Sequence, residues 1–181
     1  MYDDYRLDKP DYKKYPKVPI VRRVWAFASD FLSIWFISSF FASNLYVQWL
    51  VFLPLWLIMR VLIVEKNKGQ SLGKWAFDIK VIDPRFNRVP DLMSLLKREI
   101  MVGVFAALAI AGLQNFTNGL SVLLLLSPLA IDCSISLLDE EANLAGHDRV
   151  AQTFMVQTER GFSLDLRLKK IFGQIQRSMR K

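Results

Sequence analysis

The chain has 181 residues, 52% of them hydrophobic, with 24 Lys and Arg against 17 Asp and Glu, one histidine and one cysteine. That length admits one domain, or one small membrane bundle with tails. A lone Cys133 excludes an intrachain disulfide and a cysteine-based metal cluster, and no metal or cofactor is expected.

The N-terminal stretch "MYDDYRLDKPDYKKYPKVP" is polar, with mixed charges and three prolines. It lacks the apolar core and small-residue cleavage site of a secretory signal. Residues 1–20 are therefore expected to form a polar arm with no core of its own.

Beyond it, no charged residue occurs from Phe31 to Met59 or from Ile100 to Ile131. Each block exceeds the roughly 20 apolar residues that a bilayer crossing needs and has room for two. An all-α membrane protein is expected, with four spans at about Val24–Ala42, Val47–Val64, Leu95–Leu113 and Leu120–Leu138. The short polar breaks "SNLY" and "QNFTNG" read as turns joining antiparallel helices. Pro54 and Pro128 lie inside spans and predict kinks.

Lys and Arg set the orientation: seven lie before Val24, nine from Arg60 to Arg98 and eight from Arg149 onward, with none in the two turns. Under the positive-inside rule both termini and the middle segment are cytoplasmic. Trp25 and Trp49 are expected near opposite interfaces, as in an aromatic belt.

The four spans are not free of charge. Asp30 sits about 9 Å into the first span at 1.5 Å per residue, and Arg60 about 6 Å into the second from the same side. Asp132 lies at similar depth in the fourth. Arg23 precedes Asp30 by two helical turns and shares its face. Intramembrane charges usually face the bundle interior and pair. A buried ionic cluster of Arg23, Asp30, Arg60 and Asp132 follows, in which Arg60, with Arg23, neutralises the two aspartates. Arg22 and Arg98 are further partners at the interface. The plainer alternatives are an Arg60 that snorkels to the headgroups and a protonated aspartate.

The segment "NKGQSLGKWAFDIKVIDP" follows the second span. Its glycines and Lys74 approximate a phosphate-binding loop, but the spacing is one residue short and Trp75 replaces the metal-binding hydroxyl. "QSLGKWAF" reads instead as a short interfacial helix with Leu72, Trp75 and Ala76 on its apolar side. "DIKVID" alternates like a strand, and "QTFMVQT" after the fourth span does the same. Two isolated strands would be marginal in water, so Ile79–Ile82 is expected to pair with Phe154–Val156 beneath the bundle. His147 beside Asp148, with Asp139, Glu140 and Glu141 upstream, is a weak metal signal. A local hydrogen-bonded turn is the plainer reading. No nucleophile–histidine–carboxylate arrangement is apparent, so no enzyme is expected.

Residues 159–181 form a tail whose stretch from Gly161 onward carries six basic residues and one acid. Leu168, Ile171, Phe172, Ile175 and Met179 recur at helical spacing, flanked by Arg167, Lys169, Lys170, Arg177, Arg180 and Lys181. A basic amphipathic helix on an anionic leaflet accounts for the charge without nucleic acid.

Four ordered motifs, "RRVWAFASDFLSIWF", "GQSLGKWAFDIKVID", "LLKREI" and "AGHDRVAQTFMV", resemble the RDD family of small multi-pass membrane proteins. The resemblance covers residues 22–156. It implies one four-helix membrane domain, 21–158, with Gly69, Gly73, Lys74, His147, Asp148 and Thr153 as its cytoplasmic motif residues. The family's arginine maps to Arg23 or Arg22 and its first aspartate to Asp30; the second maps to Asp148 or Asp132. Trp75 and Asp78 stand where small or basic residues are more usual. Transport of unidentified ligands or ions has been suggested for the family. The expected function is a non-catalytic accessory, assembly or scaffolding component in a prokaryotic inner or thylakoid-type membrane. Other membrane proteins are its expected partners, and a homo-oligomer is compatible with the chain. The alternative is an ion- or proton-coupled transporter using the intramembrane aspartates.

Overall fold

The computed structural model describes residues 15–139 and 142–158, together with positions 163, 164, 167, 170 and 174. Of the amphipathic tail helix expected from the sequence, Leu164, Arg167, Lys170 and Gln174 are described and are helical. Its apolar positions from Leu168 to Met179 lie outside the described residues, as do Glu140, Glu141, Lys169, Arg177, Arg180, Lys181 and most of the arm. Arg167 and Lys170 are exposed.

Four long helices dominate: α1 (Ile20–Phe40), α2 (Leu45–Lys66), α4 (Leu92–Gln114) and α5 (Gly119–Leu138). They coincide with the four apolar segments. The breaks between them are set by side chains that satisfy the first free N–H groups of the next helix. Asn44 accepts from Val47 N–H at 3.0 Å and Asn118 from Ser121 N–H at 3.3 Å, so "SNLY" and "QNFTNG" each end in a cap. Two of the four helices, α2 and α5, are long and apolar enough to cross a membrane. In α1 and α4 the charges of Arg22, Arg23 and Asp30, and of Lys97, Arg98 and Glu99, lower the hydropathy.

α1 packs on α2, α2 on α4, and α4 on α5. Close packing supports each join: Gly103 of α4 leaves room for the Trp56 indole, where an added Cβ would meet Cδ1 at 2.9 Å. The central layer is aromatic and aliphatic, built from Phe31, Ile34, Phe52, Trp56, Val102, Ala106 and Ile110. Trp25 is exposed, as a lipid-facing ring would be. Trp49 departs from the belt pattern, turning inward to donate its indole N–H to Ala107 O at 3.0 Å. Beyond Pro54, α2 widens at Ile58–Leu62, where Ile63 N–H bonds five residues back to Ile58 O. Such a π turn adds a residue to the circuit and re-aims the side chains it carries, here Arg60.

At the charged end, α3 (Leu72–Ala76) and α6 (Gly146–Ala151) cover the helices, and β1 (Ile79–Ile82) pairs antiparallel with β2 (Phe154–Gln157). The register puts Val81 opposite Met155 and Ile82 opposite Phe154. Both faces of this two-stranded sheet are buried. Ile79, Val81 and Met155 join Val18, Ala26, Val64 and Leu95; Ile82, Phe154 and Val156 pack with Ala142. That double burial is what lets two strands persist. Gly69 makes the turn that follows α2 with φ +86°, and a Cβ there would lie 2.3 Å from Val81 O of β1.

A buried ionic network

The inward stripe of α1 runs through Ala26, Asp30, Ile34 and Ser38, four residues apart. Asp30 is 1% exposed and accepts three hydrogen bonds. Arg60 Nη1 reaches its Oδ2 at 2.7 Å, Ser71 Oγ the same oxygen at 2.5 Å, and Gly73 N–H its Oδ1 at 2.7 Å. Ser71 also caps α3 by accepting from Lys74 N–H at 3.3 Å. The "SLGK" segment is therefore folded around the carboxylate. Its glycine is required by contact: a Cβ on Gly73 would lie 2.1 Å from Ala26 O. α3 turns Gly73 and Lys74 inward, while Leu72 and Trp75 point out at 55% and 54% exposure.

Arg60 carries a second carboxylate. Its Nε and Nη2 grip Glu99 of α4 at 2.7 and 3.3 Å. Such a fork is the strong geometry for a guanidinium. The cation also lies 4.7 Å from the Trp56 ring centroid and 5.7 Å from that of Phe27. Lys74 Nζ approaches Glu99 at 3.7 Å but makes no hydrogen bond. Burial, together with the Arg98 and Arg60 charges, lowers its pKa to about 7, against the pull of Glu99 and Asp30.

Arg98 links this half to a second. Its Nε lies 3.6 Å from Glu99, and its Nη2 reaches Asp148 at 3.1 Å and His147 Nε2 at 3.3 Å. Asp148 is also bound by Arg23 and by the hydroxyl of Thr153, and it accepts from the N–H of Ala145 at 3.3 Å. Burial alone would raise its pKa. The charges of Arg98, His147 and Arg23 overcome that and hold it well below the usual carboxylate range. Asp132 bonds the Nδ1 of His147 and accepts from its backbone N–H at 2.9 Å. The Nε2 of His147 lies between Arg98 Nη2 at 3.3 Å and Asp148 Oδ1 at 3.5 Å. Gly146 keeps the approach open, since its Cβ would lie 2.7 Å from Asp132 Oδ1.

The four residues singled out in the spans thus join one network through different partners. Arg60 meets Asp30 and does not snorkel, being 3% exposed. Neither Arg60 nor Arg23 meets Asp132: His147 holds it, and Arg23 goes to Asp148. His147 and Asp148 do more than fix a local turn, because they tie α5, α4 and α1 together. Glu99 was not legible from isolated charges, although it lies four residues inside the third apolar segment, at the depth that drew attention to Asp30 and Asp132. Among the described residues, no group of three His, Cys, Asp or Glu side chains could hold a metal ion.

Residues 17–152, which contain every charged member of this network, match the model of the RDD family. The chain belongs to the RDD family. No curated protein and no solved structure matches it. Of the two aspartates that resemble the family's second one, Asp148 is the one this RDD protein places against Arg23.

Proposed function

We propose that this RDD protein is a non-catalytic, multi-pass membrane protein in which α1, α2, α4 and α5 all cross the bilayer. In this reading it serves as an accessory, assembly or scaffolding component for membrane complexes. One observation carries the proposal: the charges of the helices meet at one end and pair with one another there. The layer above them is closed by Phe31, Phe52, Trp56 and their neighbours. Pairing removes the solvation penalty that makes α1 and α4 poor spans on hydropathy alone. The positive-inside rule assigns the charged end, both termini and residues 67–91 to the cytoplasmic side of a prokaryotic inner or thylakoid-type membrane. Further out only uncharged polar groups remain, such as Gln48, which donates to Ser39 Oγ at 3.0 Å and accepts from Gln114. A coupled transporter needs titratable groups or water-lined surface through its full depth.

Transport remains the competing reading, favoured by one observation, the buried Lys74 that titrates near neutrality. Purified protein in proteoliposomes decides between them. Proton and Na⁺ flux is expected to equal that of empty vesicles and to be unchanged in Asp30→Asn. Native-gel migration and cross-linking in the source membrane are expected to place the chain in a larger hetero-complex. Flux that depends on Asp30 would replace the scaffold with a transporter.

A further inference from the structure

The ring of long helices is open on one side. α1 packs on α2 and α5 on α4, but α1 and α5 do not close on each other, and between them lies a cavity of about 490 Å³. Its walls are apolar: Val24 and Phe27 of α1, Val102 of α4, and Leu126, Leu129 and Leu137 of α5. Its charged end is lined by Arg23, Arg60, Arg98 and His147, and none of their carboxylate partners lines it. Asp30, Glu99, Asp132 and Asp148 bind these groups from behind. Arg98 is 1% exposed, and its Nε and Nη1 make no hydrogen bond. Buried guanidinium N–H groups without acceptors, beside an apolar slot, are half of an interaction.

The geometry points to a binding site for one acidic phospholipid, with its phosphate on Arg98 and Arg23 and an acyl chain between α1 and α5. The charge at the base selects an anion, because the cations Arg23, Arg60 and Arg98 line it and no carboxylate does. The walls select an amphiphile over a free anion, since a volume in the ligand-pocket range lined by leucines stays unfilled by phosphate alone. The slot also lies beside residues already turned outward, Val21 and Trp25 on α1 and Leu124 and Ile131 on α5, so a lipid enters from the side without crossing the network. This inference rests on the reading that α1 and α5 lie in a bilayer. It is independent of whether the protein scaffolds or transports.

Native mass spectrometry of the detergent-purified full chain tests it, after delipidation and addition of phosphatidylglycerol or phosphatidylcholine. One phosphatidylglycerol is expected to be retained, roughly tenfold more tightly than phosphatidylcholine, as a charge-assisted hydrogen bond would give. Ala130→Trp, which fills the slot, is expected to lose the lipid and to keep the melting temperature of Leu124→Trp on the outer face of the same helix. Arg98→Lys, which retains the charge but shortens the donor set, is expected to weaken selectivity. Equal retention of both lipids, or full retention in Ala130→Trp, would overturn the site. Complete displacement by inorganic phosphate would reduce it to an anion site and overturn the lipid. If instead the chain partitions into the aqueous phase on detergent-phase separation, the membrane reading itself fails, an outcome distinct from loss of lipid selectivity.

Discussion

Arg60 divides its donors between two carboxylates on two different helices, Asp30 on α1 and Glu99 on α4. This makes the arginine, and neither acid alone, the joint of the charged end. Arg60→Gln leaves both acids short of their main cation and removes the contacts with Trp56 and Phe27. A loss of about 3–5 kcal/mol is expected, as for breaking a buried pair. Asp30→Asn is expected to cost less, because its amide oxygen still accepts from Gly73 while Glu99 still holds Arg60. Thermal unfolding in detergent measures both, and the reverse order would contradict the shared joint. For the same reason, exchanging the charges with Asp30→Arg and Arg60→Asp does not restore stability, since a carboxylate would then face Glu99. Lys74 adds a pH dependence. Its pKa is lowered from 10.5 to about 7, so between those values the unfolded chain binds more protons than the folded one. Stability therefore gains from Lys74 as pH rises through that window and loses as pH falls towards 7. Melting temperatures in Lys74→Met are expected to vary less with pH across that window than in the parent; an unchanged slope would assign the dependence to another group.

At the scale of elements, α3 owes its position to what it lacks. Gly73 brings its backbone against Ala26 and donates to Asp30, so the short helix packs on α1 at the depth of the charge. Gly73→Ala places a methyl 2.1 Å from a backbone oxygen that cannot rotate away. Loss of about 1–3 kcal/mol is expected from overpacking, with more if the Asp30 bond is lost. Gly119→Ala, with nothing within 4 Å of the new Cβ, serves as the neutral control in the same melting series. The helices and the strand pair were legible because each has a local signal: an uncharged run, a capping asparagine, or alternation in "DIKVID". Asp30 and Arg60 could be matched because depth can be counted from a helix end. Who else meets whom could not be counted. Whether Asp132 meets Arg60 or His147 depends on α6 folding back beneath α5, and the pairing of Arg23 with Asp148 spans 125 residues of sequence. Glu99 was hidden for a different reason. Standing between Arg98 and Ile100, it reads as the polar start of a helix, and only the pitch of α4 carries it inward.

For the whole molecule, the distribution of charge and the direction of the helices make one demand. If all four long helices cross, the turns at residues 41–44 and 115–118 face one side and the segment at 67–91 faces the other. The network makes this consistent, because it gathers Arg23, Arg60, Arg98 and Asp132 from four helices at a single level. A chain with only α2 and α5 across the bilayer would keep the same pairs, which the protein itself buries at 1% exposure for Asp30 and 0% for Glu99, and differs in the side on which its loops lie. Labelling separates these cases in a Cys133→Ala background, which removes the single native thiol. Thr117→Cys, in the exposed turn before α5, is expected to react with a membrane-impermeant maleimide in intact spheroplasts. Phe86→Cys, exposed in the loop after β1, is expected to react only after permeabilisation. Reaction of both from the same side would rule out four crossings. Protection of Thr117→Cys in intact cells, with Phe86→Cys open, would invert the orientation and move the charged network to the outer face.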